Sequence, residues 1–326
     1  FLIVNFVNFY MDNLELVKQN SAEIINEENI PKILKKKKPI VYCGYETSGE
    51  IHLGHLVTIT KLIDLAKAGF HVKVLFADWH TFLNQKGDWD FIEKQVKNWT
   101  AGFKAAGLKD AEFVLGTSFQ RTPEYMDDVL TIATKTTINR SLRSMQQVGR
   151  DIEKAKVSQV IYPFMQIVDI KHLNVDLVQS GIEQRKIHML GTEVLGDIGF
   201  DTPVFLHTPL ISSLSGSGKM SSSDVGSFIS IRDSDEDIAK KIKKAHCVGG
   251  EVKENPILQI VQLIVFPRVS NFVIERPEKF GGNLEFSDYG SLEKAFSKGD
   301  VHPLDLKNAL SKYLVEIITP IRNKFK

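Results

Sequence analysis

The stretch that decides the fold runs from Val41 to Leu65 and reads VYCGYETSGEIHLGHLVTITKLIDL. Its start, residues 41–45, is a short apolar run typical of a buried strand, and the apolar positions from 56 to 65 recur at helical spacing. A polar turn that contains glycine separates the two. A strand, a turn and a helix in this order form the repeating unit of parallel α/β sheets. We therefore expect an α/β fold in which a helix begins near His52.

Strand and helix patterns continue to alternate up to about residue 210, with strand candidates at 41–45, 72–77, 113–115, 175–178 and 204–206. The run at 72–77 is almost continuously apolar, as in strands that helices cover on both faces. We expect a Rossmann-like, mostly parallel sheet. Such sheets bind ligands in the crevice at the carboxyl ends of their strands.

The pattern divides the chain into a larger α/β domain, residues 11–229, and a smaller, mainly helical domain, residues 230–326. Ser234 followed by Asp237 predicts a capped helix start in the second domain. Within the first domain, residues from about 120 to 160 predict a helical insertion at the edge of the sheet. Basic side chains are spread among its apolar positions: Lys135, Arg140, Arg143, Arg150 and Lys154.

The first ten residues, 1–10, are apolar but too short to span a bilayer, and they lack the basic segment and cleavage site of a signal peptide. We interpret them as an extension and Met11 as the natural start. The apolar positions that follow predict an N-terminal helix: Leu14, Leu16, Val17, Ile24 and Ile25.

The charge balance limits how the chain can bind nucleic acid. With 41 basic and 40 acidic residues the net charge is +1, so any contact with RNA must come from local patches. The two cysteines, Cys43 and Cys247, have no paired spacing, which predicts neither a disulfide framework nor a metal site and fits a reducing cytoplasm.

Two segments have the composition of a phosphate-binding site. His52 and His55 share one face of a helix start, where backbone amides and the helix dipole attract anions, and Gly54 between them would let a flat group approach the backbone. The loop 216–223 is small and rich in hydroxyls, with Lys219 as its cation. Taken separately, the first segment could be an ordinary helix start and the second a mobile linker.

In this order on an α/β frame, the two segments resemble the His-Ile-Gly-His and Lys-Met-Ser-Lys-Ser signatures of class I aminoacyl-tRNA synthetases. Leu53 replaces the isoleucine, and Ser222 stands where a second lysine is common. The resemblance implies that ATP, carrying Mg²⁺, is a substrate and that no metal is held by protein groups alone. It implies catalytic roles for His52, His55, Lys219 and Ser222, and ATP-binding roles for Gly44, Gly54, Met220, Ser221 and Ser223.

The helix predicted at 160–173 carries Tyr162, Gln166 and Asp169 along one stripe among apolar neighbours. Polar groups in such a helix are costly to bury unless they line a pocket. A stripe that faces solvent is the alternative interpretation.

Most of the chain is similar to archaeal and eukaryotic-like tyrosyl-tRNA synthetases, in the segments 41–46, 77–80, 83–87, 161–166 and 183–189. The resemblance implies that Tyr42 and Asp169 bind the phenolic hydroxyl of tyrosine, and that Tyr162, Gln166 and Gln184 hold its amino group. Glu46 belongs to the same implied pocket. Thr47 stands where proline is common.

The same resemblance implies contacts with tRNA(Tyr). Arg143, Arg185 and Lys186 fall on positions near the acceptor stem, and four residues of the helical domain, a candidate anticodon-binding domain, fall on positions near the anticodon: Phe280, His302, Pro303 and Asp305. Ordinary surface charge, and a helix start at residues 302–305, are the alternatives.

The resemblance also implies a cytoplasmic homodimer paired through the insertion, without contact to a membrane. Two other functions stay open at this point. One is a tryptophanyl-tRNA synthetase of the same architecture, and the other is an RNA-binding protein that kept the fold without catalysis.

Overall fold

The computed structural model describes residues 12–146, 156–221, 224 and 226–325. Several predictions therefore lie outside the described residues: the extension 1–10, the start at Met11, Arg150 and Lys154 of the insertion, and Ser222 and Ser223 of the loop.

A six-stranded sheet with the order β1-β6-β5-β2-β3-β4 forms the centre of the protein. The strands β2 to β6 run parallel and correspond to the five predicted strands. The strands β5 and β6 are buried along their whole length, which explains their apolar composition. The bounds are β1 Glu23–Ile25, β2 Ile40–Tyr45, β3 His71–Phe76, β4 Glu112–Leu115, β5 Leu177–Gly181 and β6 Val204–Thr208.

The edge strand β1 corrects the prediction of one N-terminal helix. The helix ends at Lys18, and Ile24 and Ile25 lie in β1, antiparallel to β6. Asn20 has a φ of 52°, a left-handed conformation that breaks the helix, and the Ala22 amide donates to the carbonyl oxygen of His207. The spacing of apolar residues did not distinguish a helix from a strand here, because a run of three residues, 23–25, fits both the helical and the strand period.

Helices cover both faces of the sheet, and the described part of the insertion, 120–146 and 156–160, is mainly helical. Up to the insertion they are α1 Asn13–Lys18, α2 Ile30–Ile33, α3 Leu53–Lys67, α4 Asp78–Leu83 and α5 Trp89–Ala106. The next are α6 Pro123–Lys135, α7 Ile138–Ser144, α8 Val157–His172 and α9 Arg185–Val194. The last are α10 Asp235–Lys244, α11 Pro256–Ile260, α12 Tyr289–Ser297 and α13 Pro303–Lys324. None of the helices described is both long and apolar enough to cross a membrane.

The C-terminal region is mainly helical but also contains an antiparallel pair that the sequence did not predict. The strands are β7 Phe272–Ile274 and β8 Leu284–Phe286. Ser234 caps α10 by accepting a hydrogen bond from the Asp237 amide, as predicted. One buried apolar cluster extends from Val17 through α3 to Ile321 in α13, so the apolar core is continuous across residue 230. The division at residue 230 stays a prediction.

A buried arginine ties the C-terminal region to α3. Arg268 is 5% exposed; its Nη1 donates to the carbonyl oxygen of Ile264 at 2.6 Å and its Nη2 to the Thr60 hydroxyl at 2.7 Å. Burial lowers the pKa of Arg268 to about 10, and the nearby Asp64 carboxylate opposes the shift. The guanidinium therefore keeps its charge at neutral pH, where only these contacts compensate its desolvation.

We expect Arg268→Leu to lower the free energy of unfolding by about 3 kcal/mol, because it removes two charged hydrogen bonds and one of the cations near the buried Asp64. Urea denaturation followed by circular dichroism measures the change. The exposed Arg143 provides a control, since Arg143→Leu should change stability by no more than ~0.5 kcal/mol. Equal effects of the two substitutions would show that the buried arginine does not stabilise the fold.

Candidate active site

A cavity of about 270 Å³ opens at the carboxyl ends of β2 and β5. This is the position at which parallel sheets bind ligands. The cavity brings together both signature segments and the polar stripe of α8. The predicted residues that line it are Tyr42, Gly44, Glu46, His52, Gly54, His55, Tyr162, Gln166, Asp169, Gln184, Lys219, Met220 and Ser221.

Backbone pairing holds the two signature segments together. His52 forms a β-bridge with Ser230, flanked by hydrogen bonds from the Leu53 amide to the Ile229 carbonyl oxygen and from the Ile231 amide to Ile51, each 3.0 Å long. The chain just after the loop is therefore fixed against the start of α3.

A second backbone bridge holds the loop 216–223 at Lys219. Lys219 pairs with Ser212, and the Met220 amide donates to the carbonyl oxygen of Ile211 at 3.0 Å. Met220 is buried and anchors this end of the loop in the apolar core. The Lys219 side chain is thereby held at the cavity wall.

Local hydrogen bonds determine which nitrogens of the two histidines carry protons. His52 is the N-cap of α3, and its Nδ1 accepts from the Gly54 amide at 3.1 Å. The Nδ1 of His55 accepts from the His52 amide, also at 3.1 Å. A nitrogen that accepts from an amide has no proton, so both neutral rings carry theirs on Nε2.

Burial keeps both rings neutral, because the charged imidazolium loses hydration there. The pKa of His55 falls to about 4, and the pKa of His52 lies well below its usual value. The ring centroids lie 3.9 Å apart. The pair therefore presents two neutral N–H donors to the cavity at neutral pH.

The ring of His52 leaves no room for a side chain at position 54. A Cβ at this position would lie 2.8 Å from Cε1 of His52. Any larger residue would displace the ring and open the cap of α3.

Asp169 lies at the closed end of the cavity and is 1% exposed. Its Oδ1 accepts from Nε2 of Gln120 at 2.7 Å, and the Tyr125 hydroxyl lies 2.8 Å from the same oxygen. Burial raises the pKa of Asp169 to about 7, although these hydrogen bonds oppose the shift. The Nε2 of His80, 4.0 Å from Oδ2, has no hydrogen-bond partner within the described part of the chain.

The sequence did not identify Gln120, Tyr125 or His80 as site residues. Gln120 lies between a 3-10 turn and α6, and Tyr125 points inward from the insertion. Neither has a spacing that marks it as polar lining. His80 belongs to the segment 77–80 that carries the family resemblance, which was the one available signal.

At the other end of the polar stripe, Gln166 donates to the side-chain oxygen of Gln184 at 3.2 Å, and Tyr162 is buried beside them. Glu46 accepts from Nδ2 of Asn84 at 2.9 Å and forms an ion pair with Lys86.

Lys86 and Glu183 also line the cavity, and the sequence did not single them out. The Oε2 of Glu183 is buried and has no hydrogen-bond partner among the described residues, so it can accept from a ligand.

The candidate acceptor-stem residues lie on α7 and α9, which contact each other. Arg143 is exposed, Arg185 pairs with Glu23 at 2.7 Å, and Lys186 donates to the Gln146 side chain at 2.5 Å.

The candidate anticodon residues come from two segments that meet at the surface, joined by a 3.3 Å hydrogen bond from Arg276 to the carbonyl oxygen of Asp300. Phe280 is 62% exposed. His302 caps α13, with Pro303 in its first turn, which confirms the helix start. Asp305 lies in the same first turn.

Within the described ranges, no group of three or more histidine, cysteine or acidic side chains could hold a metal ion. A divalent ion at this site would need other ligands, such as phosphate oxygens and water.

A family model described as tRNA synthetases class I (W and Y) matches residues 34–319. The tyrosine–tRNA ligase of Methanoculleus marisnigri is 49% identical over 313 residues, which cover 96% of this chain and 98% of that protein. The crystal structure of the Archaeoglobus fulgidus tyrosyl-tRNA synthetase complexed with L-tyrosine matches with a TM-score of 0.93 and 46% identity, over 96% of this chain and 99% of that one. A tryptophanyl-tRNA synthetase from Aeropyrum pernix, at 20% identity and a TM-score of 0.73, shares the fold.

The family match extends over most of the chain, and nearly half of the residues are identical to those of archaeal relatives of the same length. The cavity that these residues build combines both signatures of class I enzymes with a buried polar stripe. The chain therefore belongs to the class I aminoacyl-tRNA synthetases for tryptophan and tyrosine, and within them to the tyrosyl-tRNA synthetases of the archaeal type.

Proposed function

We propose that this chain, a tyrosine–tRNA ligase by family, binds L-tyrosine and ATP together in the cavity, forms tyrosyl-adenylate there and transfers tyrosine to the 3′ end of tRNA(Tyr). One observation carries the proposal. The buried carboxyl of Asp169 and the two neutral histidines of the first signature face the same cavity. A polar group at the closed end selects the side chain, while the donors near the mouth receive the nucleotide.

Selection for a phenol follows from the chemistry of Asp169 and Tyr42. A phenolic hydroxyl both donates and accepts, so it can donate to the ionised carboxylate while it accepts from the Tyr42 hydroxyl. Phenylalanine would offer neither an acceptor for the Tyr42 hydroxyl nor a donor for the Asp169 carboxylate, in a buried site. Tyrosyl-tRNA synthetases are themselves the standard case of this selection, at about 10⁵-fold against phenylalanine.

The first step needs binding and charge stabilisation rather than a protein nucleophile. Tyr162, Gln166 and Gln184 hold the amino group, which directs a carboxylate oxygen of tyrosine to the α-phosphorus of ATP. As that P–O bond forms, the bond from the α-phosphorus to the bridging oxygen breaks and pyrophosphate leaves. The Nε2–H groups of His52 and His55 donate to phosphate oxygens, where negative charge accumulates.

Lys219 brings a positive charge from the loop to the departing pyrophosphate. Ser221 is proposed to bind the phosphates with it, and Ser222 and Ser223 are proposed to do the same by family resemblance. Mg²⁺ would enter with ATP, and its phosphates and water would supply the ligands.

The second step needs the 3′ end of tRNA at the cavity mouth. A hydroxyl of the terminal ribose attacks the carbonyl carbon of the adenylate and forms the ester bond. The bond from that carbon to the phosphate oxygen breaks, and AMP leaves with the bonding electrons, its phosphate taking up the hydroxyl proton. Arg143, Arg185 and Lys186 are proposed to receive the acceptor stem, because guanidinium and ammonium groups bind phosphates and guanine edges.

The residues around α13 are proposed to receive the anticodon as part of a domain spanning residues 230–326. The exposed ring of Phe280 can stack on an unpaired base, and Asp305 can accept hydrogen bonds. His302 and Pro303 lie beside them at the helix start. A cytoplasmic location is also proposed, because the family resemblance implies it and Cys43 and Cys247 are not paired in a disulfide.

We expect ATP–pyrophosphate exchange by the purified chain to depend on tyrosine, and kcat/KM for tyrosine to fall by about 10² in Asp169→Ala, which removes a charged hydrogen-bond partner from a buried site. The preference for tyrosine over phenylalanine should fall with it. Asp110→Ala removes an exposed carboxylate and serves as the control. Exchange driven by tryptophan would favour the tryptophanyl enzyme, and no exchange at all would favour a protein without catalysis.

The raised pKa of Asp169 predicts how tyrosine activation depends on pH. Burial favours the neutral acid, so the proton stays bound until pH rises to about 7. Below that pH the fraction of ionised acceptor falls, and kcat/KM for tyrosine should decline by up to about tenfold per pH unit. The histidines, with lowered pKa values, stay neutral throughout this window. The exchange rate of Asp169→Asn should show no such decline; if it does, the titrating group lies elsewhere.

A homodimer paired through the insertion is supported by exposed apolar side chains on its helices. On α6, Met126 is 37% and Leu130 57% exposed, and Ile138 at the start of α7 is 67% exposed. Met126 and Leu130 are four residues apart and so lie on one face of α6, and exposed apolar side chains grouped in this way are typical of protein interfaces.

We expect Leu130→Asp to convert a dimer to a monomer in size-exclusion chromatography with light scattering, because it places a carboxylate in the apolar contact. Val248→Asp is the matched control, since Val248 is 43% exposed and lies outside the insertion. A wild-type monomer, or a dimer that survives Leu130→Asp, would contradict this assignment.

A further inference from the structure

The side chain of Arg185 is held from behind by the edge strand β1. Its Nε donates to both carboxylate oxygens of Glu23, at 3.0 Å and 2.7 Å. Neither of its Nη atoms has a hydrogen-bond partner among the residues that the structure describes. The ion pair therefore fixes the direction of the guanidinium while leaving its outer donors available.

Two buried histidines support Glu23, His207 by direct contact and His188 through His207. The Nδ1 of His207 lies 3.2 Å from Oε2 of Glu23, and its Nε2 lies 2.9 Å from Nδ1 of His188. A carboxylate requires a donor, so His207 carries its proton on Nδ1 and accepts at Nε2 from Nδ1–H of His188. Burial lowers the pKa of both histidines, which keeps the rings neutral. The four residues His188, His207, Glu23 and Arg185 thus form one row of hydrogen bonds, in which Glu23 accepts from both His207 and Arg185.

The backbone fixes this chain of groups in place. Glu23 and His207 are direct partners in the antiparallel register of β1 and β6, so their side chains lie on the same face of the sheet. Arg185 is the first residue of α9 and follows Gln184, which lines the cavity. The three parts of the chain that meet here are far apart in sequence.

We propose that Glu23, supported by His207 and His188, is a positioning residue that pre-orders Arg185 for the acceptor stem of tRNA. The inference rests on the tRNA role proposed above for Arg185. An unpaired arginine at the helix start would sample many rotamers, and ordering it would weaken RNA binding. Immobilising one such side chain at an interface costs roughly 2- to 10-fold in affinity. The Glu23 ion pair already orders the Arg185 side chain in the free enzyme, so tRNA binding does not carry this loss of affinity.

The test compares two reactions of the same enzyme. In Glu23→Gln we expect kcat/KM for tRNA in aminoacylation to fall by roughly 3- to 10-fold, since the charged contact that orders the arginine is lost. Tyrosine-dependent pyrophosphate exchange should stay unchanged, which also shows that the variant is folded. Glu23→Asp, which keeps the charge but withdraws the carboxylate, should shift aminoacylation in the same direction. Glu93→Gln, on the distant helix α5, is the control for losing a surface carboxylate.

A double-mutant cycle with Arg185→Ala separates positioning from a simple charge effect. If Glu23 acts through Arg185, Glu23→Gln should add no further loss once the arginine is absent. A higher aminoacylation rate in the double variant than in Arg185→Ala is also consistent with positioning, because Glu23→Gln then only removes a negative charge near RNA. Additive losses, or an unchanged or higher aminoacylation rate in Glu23→Gln alone, would overturn the inference while leaving the tRNA role of Arg185 intact. An Arg185→Ala variant that charges tRNA normally would overturn both.

Discussion

The backbone pairing between residues 51–53 and 229–231 is the contact on which the candidate active site depends. It fixes the chain that follows the signature loop against the first turn of α3, so that Lys219 and the histidine pair face one cavity. The same turn is closed by the histidines themselves, whose Nδ1 atoms accept backbone amide protons. Helix start, tautomer and candidate phosphate site are therefore consequences of one local structure.

Burial sets the electrostatics of the site in two opposite ways. For His52 and His55 it removes positive charge, so the rings act as neutral donors rather than as cations. For Asp169 it disfavours negative charge and raises the pKa to about 7, and the hydrogen bonds from Gln120 and Tyr125 keep ionisation within reach of neutral pH. A carboxyl in this balance can accept a hydrogen bond from a phenol. Because Asp169 is 1% exposed, bulk water does not compete for that hydrogen bond.

Sequence patterns predicted the elements that longer apolar or periodic segments form. They missed the elements that consist of only a few residues. The parallel strands were predicted from their apolar runs, α8 from its helical spacing and the start of α10 from its cap, because burial and capping impose these local patterns. The strands β1, β7 and β8 have three residues each, too few to distinguish a strand from a helix. The side chains that surround Asp169 were missed for a related reason. Gln120 and Tyr125 belong to a turn and to the insertion, and their polar atoms reach Asp169 only through tertiary packing.

The sequence by itself determined the five parallel strands, the two signature segments and the stripe of Tyr162, Gln166 and Asp169, because each is a local pattern of residue type and spacing. Only the tertiary structure decided which groups share a hydrogen bond. It set the burial of the two signature histidines, the ionisation of Asp169 and the pairing of Glu23 with Arg185; the last two join segments distant in the chain. Proton positions and pKa values depend on burial and on partners a few ångströms away, and sequence spacing does not encode either.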